Sequence, residues 1–138
     1  MGKAIATNEI GGDLYCAGDL VFEDTNLASS GAITSSEFLL SQTMGAAQLN
    51  VIAGAAGLAT GVGETVVVTV VTSPTSGGTF DDTIFTYTVV ASTTIAAGAS
   101  IVNFLPGRDI AECYAKLVLT SNYVATGEEV TAYQTGVC

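Results

Sequence analysis

The chain has 138 residues, enough for one domain whose core needs no metal or disulfide staple. Hydrophobic residues make up 49% of it and charged residues 12%, against roughly 25% charged in an average soluble chain. Acids outnumber bases 13 to 3, for a formal charge of −10; Lys3, Arg108 and Lys116 cannot form a phosphate-neutralising patch, which excludes nucleic acid and anionic membrane as partners.

In chain order, residues 1–12 read as an N-terminal arm ahead of a single domain spanning 13–138. Asn8, Glu9 and Asp13 interrupt any apolar signal core, so no export signal is read. The thiols of Cys16, Cys113 and Cys138 are accordingly expected to be free, in a reducing cytoplasm. Cys113 falls within a strand pattern, as a small core residue. No apolar run approaches the ~20 residues of a membrane span.

Residues 13–22 and 47–53 read as strands, with a weaker one over 26–33. Thr34-Ser-Ser-Glu37 ahead of Phe38-Leu-Leu40 has the form of a capping box, compatible with a short helical turn or with an irregular loop. Residues 54–63 carry four glycines and read as a flexible loop; with no lysine and no following helix, it is not a phosphate loop.

From residue 64 onward period-two patterning takes over. Residues 64–72 place Val66, Val68 and Val70 on one face and Thr65, Val67, Thr69 and Val71 on the other, which predicts a central strand covered on both sides. Ser73-Pro-Thr-Ser-Gly-Gly78 ends it with turn residues. Residues 83–90 alternate Phe85, Tyr87 and Val89 with Thr86 and Thr88, a half-buried strand. A further strand over 99–105 stops at Pro106-Gly107. Residues 113–120 set Cys113, Ala115, Leu117 and Leu119 opposite Lys116, and residues 129–135 form the last strand after the turn at 125–127. About eight short strands and no long helix predict an all-β fold, an antiparallel β-sandwich of jelly-roll type.

The chain has no histidine, which excludes Ser-His-Asp triads and His-ligated metals, and its cysteines form no C-x-x-C pair. The acid pairs Asp81-Asp82 and Glu128-Glu129 stand at strand entrances. They read as solvated turn acids that keep sheet edges from pairing; Asp81 and Asp82 are also the candidate ligands for Ca²⁺. Arg108, between Gly107 and Asp109, reads as a local ion pair or as an anchor at a subunit interface. No catalytic residue and no cofactor is expected.

An ordered series in the second half carries a family likeness. It runs from the Val-rich strand ending Val71-Thr-Ser73, through Gly98-Ala-Ser-Ile101 and Phe104-Leu-Pro-Gly107, to Tyr114-Ala-Lys-Leu117, Tyr123, Ala125-Thr-Gly127 and Val130-Thr-Ala132. In this series the chain resembles the jelly-roll capsid cement (decoration) proteins of tailed bacteriophages. The likeness implies a homotrimer, made in the host cytoplasm and seated on the outside of the virion's shell. There it would bridge subunits of the major capsid protein, with no catalytic residues. The arm departs from that pattern, and Asn8 and Glu9 are its candidate contacts to a neighbouring subunit. Two other readings stay open: a tail, fibre or pilus-like subunit that polymerises through the arm, and a lectin-like module binding carbohydrate or Ca²⁺.

Overall fold

The computed structural model describes residues 20–40, 48–104 and 113–135. The arm, Asn8, Glu9, Cys16, Arg108, Cys138 and the Cys113 side chain lie outside the described residues. Strands account for 59% of the structure and no helix is present among the described residues.

Its centre is one strand pair. Strand β6 (Val66–Ser73) lies antiparallel to β10 (Cys113–Ser121), in unbroken register from Val66↔Ser121 to Ser73↔Tyr114. Both strands have a period of two. The register therefore puts Val66, Val68 and Val70 on the same side as Ala115, Leu117 and Leu119, each at most 1% exposed. Full burial of a Val or Leu side chain is worth about 1.5–3 kcal/mol, so these six hold the sheet on its partner.

The sheet is completed by β7 (Asp82–Val89) beyond β6, and by β2 (Ala32–Thr34) and β3 (Phe38–Leu40) along the other side of β10. Between β2 and β3, Ser35 bridges the gap. Its N–H donates to the Leu117 carbonyl at 2.9 Å, and its hydroxyl accepts the Leu117 N–H at 2.9 Å. The second sheet runs β1 (Leu20–Asn26), β11 (Glu129–Thr135), β4 (Gln48–Ala53), β9 (Ser100–Phe104). It contributes Phe22, Leu49, Val51, Ala53, Ile101, Val130 and Ala132 to the shared core. All pairings are antiparallel, and the result is an all-β sandwich. With β2 and β3 counted as one interrupted strand, and leaving aside β5 and β8, eight strands remain. Ranked in chain order they form sheets 1-8-3-6 and 2-7-4-5. The open side between β7 and β9 is closed by the Phe85 and Phe104 rings, stacked 4.5 Å apart.

Four expectations need correction. Residues 38–40 form a strand and not a helical turn, because pairing with β10 buries Leu40 to 1% exposure. Glu37, which would have closed the capping box, instead accepts hydrogen bonds from the Ser76 hydroxyl and from the Gly77 N–H at 2.9 Å. The weak strand over 26–33 is the end of β1, a turn, and the start of β2. There the Leu27 N–H donates to the Glu128 carbonyl at 2.9 Å and Ser30 takes φ 50°. Residues 54–63 are not a free loop. Within them β5 (Leu58–Ala59) pairs with β8 (Thr94–Ile95), and Leu58 is 2% exposed. Lastly, the outward residues of β6 are only half-shielded, although the strand is central.

Gly57 fixes the β5 turn. Its φ is +71° and a Cβ there would stand 2.7 Å from the Ile95 carbonyl oxygen, whereas Gly63 at φ +77° faces open space. Gly63→Ala should therefore lose only the left-handed backbone penalty of about 1–2 kcal/mol. Gly57→Ala should lose clearly more, and Leu117→Ala about 2–5 kcal/mol. Urea unfolding of the three variants measures this order.

Candidate interaction surfaces

Eight carboxylates lie among the described residues: Glu23, Asp24, Glu37, Glu64, Asp81, Asp82, Glu128 and Glu129. No strand residue on the outward face of the β2/β3–β10–β6–β7 sheet is acidic, although Glu37, between β2 and β3, stands near enough to Lys116 to feel its charge; Asp82, the one acid in the strands, pairs with Thr72 on the inward side. That face is built of cross-strand rows: Thr120, Val67 and Thr88; Val118, Thr69 and Thr86; Lys116, Val71 and Thr83. Threonine and valine are there because β-branched side chains suit a pleated strand. A solvated sheet face ordinarily alternates in charged residues as well, and this one has a single charge. Lys116 is the one cation among the described residues, and its Nζ lies 4.6 Å from the centroid of the Phe80 ring. Such a contact is worth about 0.5–1 kcal/mol at an exposed site and keeps the ammonium folded over the ring.

A second surface, apolar at its tips, lies at the end of the sandwich where β6 begins. Val62, Val90 and Val124 are exposed there at 94%, 61% and 74%. They stand on three loops stitched together through residues 60–65. The Thr60 hydroxyl donates to the Val90 carbonyl at 2.7 Å and accepts the Thr93 N–H at 3.0 Å. Asn122 accepts the Thr65 N–H at 2.8 Å and donates to the Gly63 carbonyl at 3.0 Å. The acids of these loops are turned to internal work. Glu64 accepts the Gly61 N–H at 2.6 Å. Glu128 accepts the Ala59 N–H at 3.0 Å with one oxygen and the Tyr123 hydroxyl at 2.7 Å with the other. Burial of Tyr123, with that hydrogen bond and the charges of Glu128 and Glu64, pushes its phenol well above the ordinary range. The valines thus project from a preformed support.

The residues singled out in the sequence fall as follows. Asp81 and Asp82 are exposed at the entrance of β7, as expected. No third acid or cysteine joins them: among the described residues no group of three or more His, Cys, Asp or Glu is close enough to hold a metal ion. Asn8, Glu9 and Arg108 lie outside the described residues. Glu129 is half-buried, and Glu128 is not a solvated turn acid but the clamp between Tyr123 and Ala59. No helix among the described residues is long and apolar enough to cross a membrane. The acid-poor Thr/Val face and the valine loops escape motif reading. Their signal is eight consecutive uncharged residues, 65–72, followed by uncharged outward positions at 86 and 88.

No family model, no curated protein and no solved structure matches this chain.

Two pH effects follow. The Tyr123 phenol is raised above its ordinary value of about 10, so its stabilising contribution is complete below that pH and is lost as pH rises through the folded value. In an ultraviolet ionisation titration Tyr123→Phe should remove a late ionisation step. The hydroxyl of Ser76 and the N–H of Gly77 hold Glu37 below 4.5, assisted by Lys116 against a small burial effect. Its contribution is present above the ordinary carboxylate value and fades as pH falls through the lowered one. Side-chain NMR should show Glu37 protonating late in an acid titration, and Ser76→Ala should move its midpoint upward.

Proposed function

We propose that the chain is a non-enzymatic assembly protein: a jelly-roll cement subunit that binds the outside of a tailed-phage capsid as a homotrimer and stabilises the shell. The segregation of charge carries this reading. A chain of net charge −10 places no acid at the outward strand positions of one sheet, and engages those of the 60–65 and 122–128 loops in internal hydrogen bonds. Acids directed to solvent keep such a protein dispersed before assembly, and uncharged faces let it approach other proteins without like-charge repulsion.

A subunit that ties shell proteins together needs two separate contact surfaces, one for its own copies and one for the shell. The Thr/Val face and the valine loop end supply two. The loop end suits the shell, because its hydrogen-bonded loops lose little conformational freedom on docking. Three copies engaging three sites gain avidity without any strong single contact. The strand order 1-8-3-6 and 2-7-4-5 supports reading the sandwich as a jelly roll.

The test is binding to the capsids of the phage that encodes the chain, stripped of it and then mixed with the purified protein. Co-sedimentation in stoichiometric amount and a higher temperature of DNA release are the expected results. Capsids that bind none of it, or that release DNA at an unchanged temperature, would refute the proposal. Val62→Asp with Val124→Asp should weaken binding at least ~10-fold, about 1.4 kcal/mol, if the loop end docks.

A further inference from the structure

We infer that the free edge of β7 is a pairing site for the same strand of a second copy of this chain, antiparallel about a two-fold axis through Tyr87, so that two sheets become one. The inference goes beyond the assembly reading above and does not rest on it, since it needs neither the shell nor the Thr/Val face.

The state of the sheet edges is the first argument. An edge strand directs alternate N–H and C=O groups away from its sheet, and what satisfies them is another extended chain. No described strand lies beyond β7, β1, β9 or the line of β2 and β3. Three of these edges are spoiled for pairing. β1 carries Glu23 and Asp24 between register shifts, with Asp24 at φ 44°. The β2/β3 line is two pieces of three residues, interrupted at Ser35. β9 has five residues and a shift of its own. β7 has eight residues, and from 83 to 89 it contains no charge, proline or glycine. Its one shift lies between Thr83 and Phe85, which leaves 85–89 regular. Asp81 and Asp82 guard its entrance but not that stretch. Among the described strands, the one other edge of equal quality is therefore β7 of a second copy.

The side chains are the second argument. Tyr87 lies opposite Val68, on the core-facing side, yet it is 41% exposed where Val68 is 1% exposed. An axis through Tyr87 covers it with the partner's Tyr87. On the other side, Thr86 meets the partner's Thr88 and Thr88 meets the partner's Thr86, while Phe85 meets the partner's Val89. Aromatic, threonine and aromatic–β-branched pairs are the favourable cross-strand combinations, and no charged residue falls within this register. One added strand buries less than the ~1,200 Å² of a standard complex, so the pair is weak, with a dissociation constant on the order of 100 µM. Copies free at low concentration stay apart, and copies held side by side join.

The test charges the two threonines that face each other. Sedimentation equilibrium from ~5 µM to ~1 mM should show the wild-type unit doubling in mass. Over the same range, amide exchange should slow in residues 83–89 and not in β1 or β9. Thr86→Lys with Thr88→Lys should weaken pairing at least ~10-fold, although it brings the net charge closer to zero. Thr86→Glu with Thr88→Glu should do the same. An equal mixture of the two variants should pair again, because each lysine then meets a glutamate. Thr69→Lys, one strand in from the edge, should leave the exchange behaviour of β7 as in wild type. Should a double variant lose its β-sheet circular dichroism, the wild-type exchange profile decides.

A wild type whose mass and β7 exchange stay constant up to ~1 mM overturns the inference, as do paired lysines without effect. A mixture that stays apart overturns the two-fold register. An oligomer built through another surface would leave the outer β7 amides in fast exchange at every concentration, which overturns it too. Shell binding is read separately: a chain that pairs as stated but ignores capsids sinks the cement reading and leaves this one standing.

Discussion

Everything in the molecule is arranged around the register of β6 on β10. That ladder is uninterrupted from Val66↔Ser121 to Ser73↔Tyr114, and a slip of one residue would turn every inward Val and Leu to solvent. The same register has a second effect. With the even residues of β6 and the odd residues of β10 fixed inward, Val67, Thr69, Val71, Lys116 and Val118 have no choice but to face out. The core and the Thr/Val face are two sides of one constraint, so the face cannot drift without the core failing.

The loop end depends on the sandwich differently. Its valines are held out by side chains that spend their polar groups on backbone: Thr60 on Val90 and Thr93, Asn122 on Gly63 and Thr65, Glu128 on Ala59. Glu128 does most. By accepting the Tyr123 hydroxyl as well, it joins the turn before β11 to the β5 segment. Glu64 and Glu128 keep their charge but are tied back to Gly61, Ala59 and Tyr123, and so the loops present apolar tips although two acids lie among them.

How far the sequence discloses this varies by element. β6, β10 and β11 are legible because each holds a period of two over seven or more residues, and β7 through its alternation from Phe85 to Val89 alone. β2, β3, β5 and β8 are two or three residues long and have no period to detect. They exist because a distant strand offers a partner, as β10 does to Phe38–Leu40, overriding the helix-start signal at Thr34–Glu37. The acid pairs illustrate the same limit. Asp81 and Asp82 are solvated as their turn context predicts, but Glu128 is captured by Tyr123 and Ala59, and Ala59 lies 69 residues away. What the sequence does show of the candidate surfaces is a run without charge. It does not show which way that run faces until the pairing is known.

The interleaved strand order has a consequence for synthesis. β1 finds its partner only in β11, more than a hundred residues later, and β2 waits for β10. While the chain is being made, the N-terminal strands therefore have no native neighbours, and the β6–β7 hairpin is the first unit able to pair along its length. The sandwich can close only after residue 135 has left the ribosome. Until then the β6 valines are uncovered, and the excess negative charge along the nascent chain is what separates it from its neighbours on the same message.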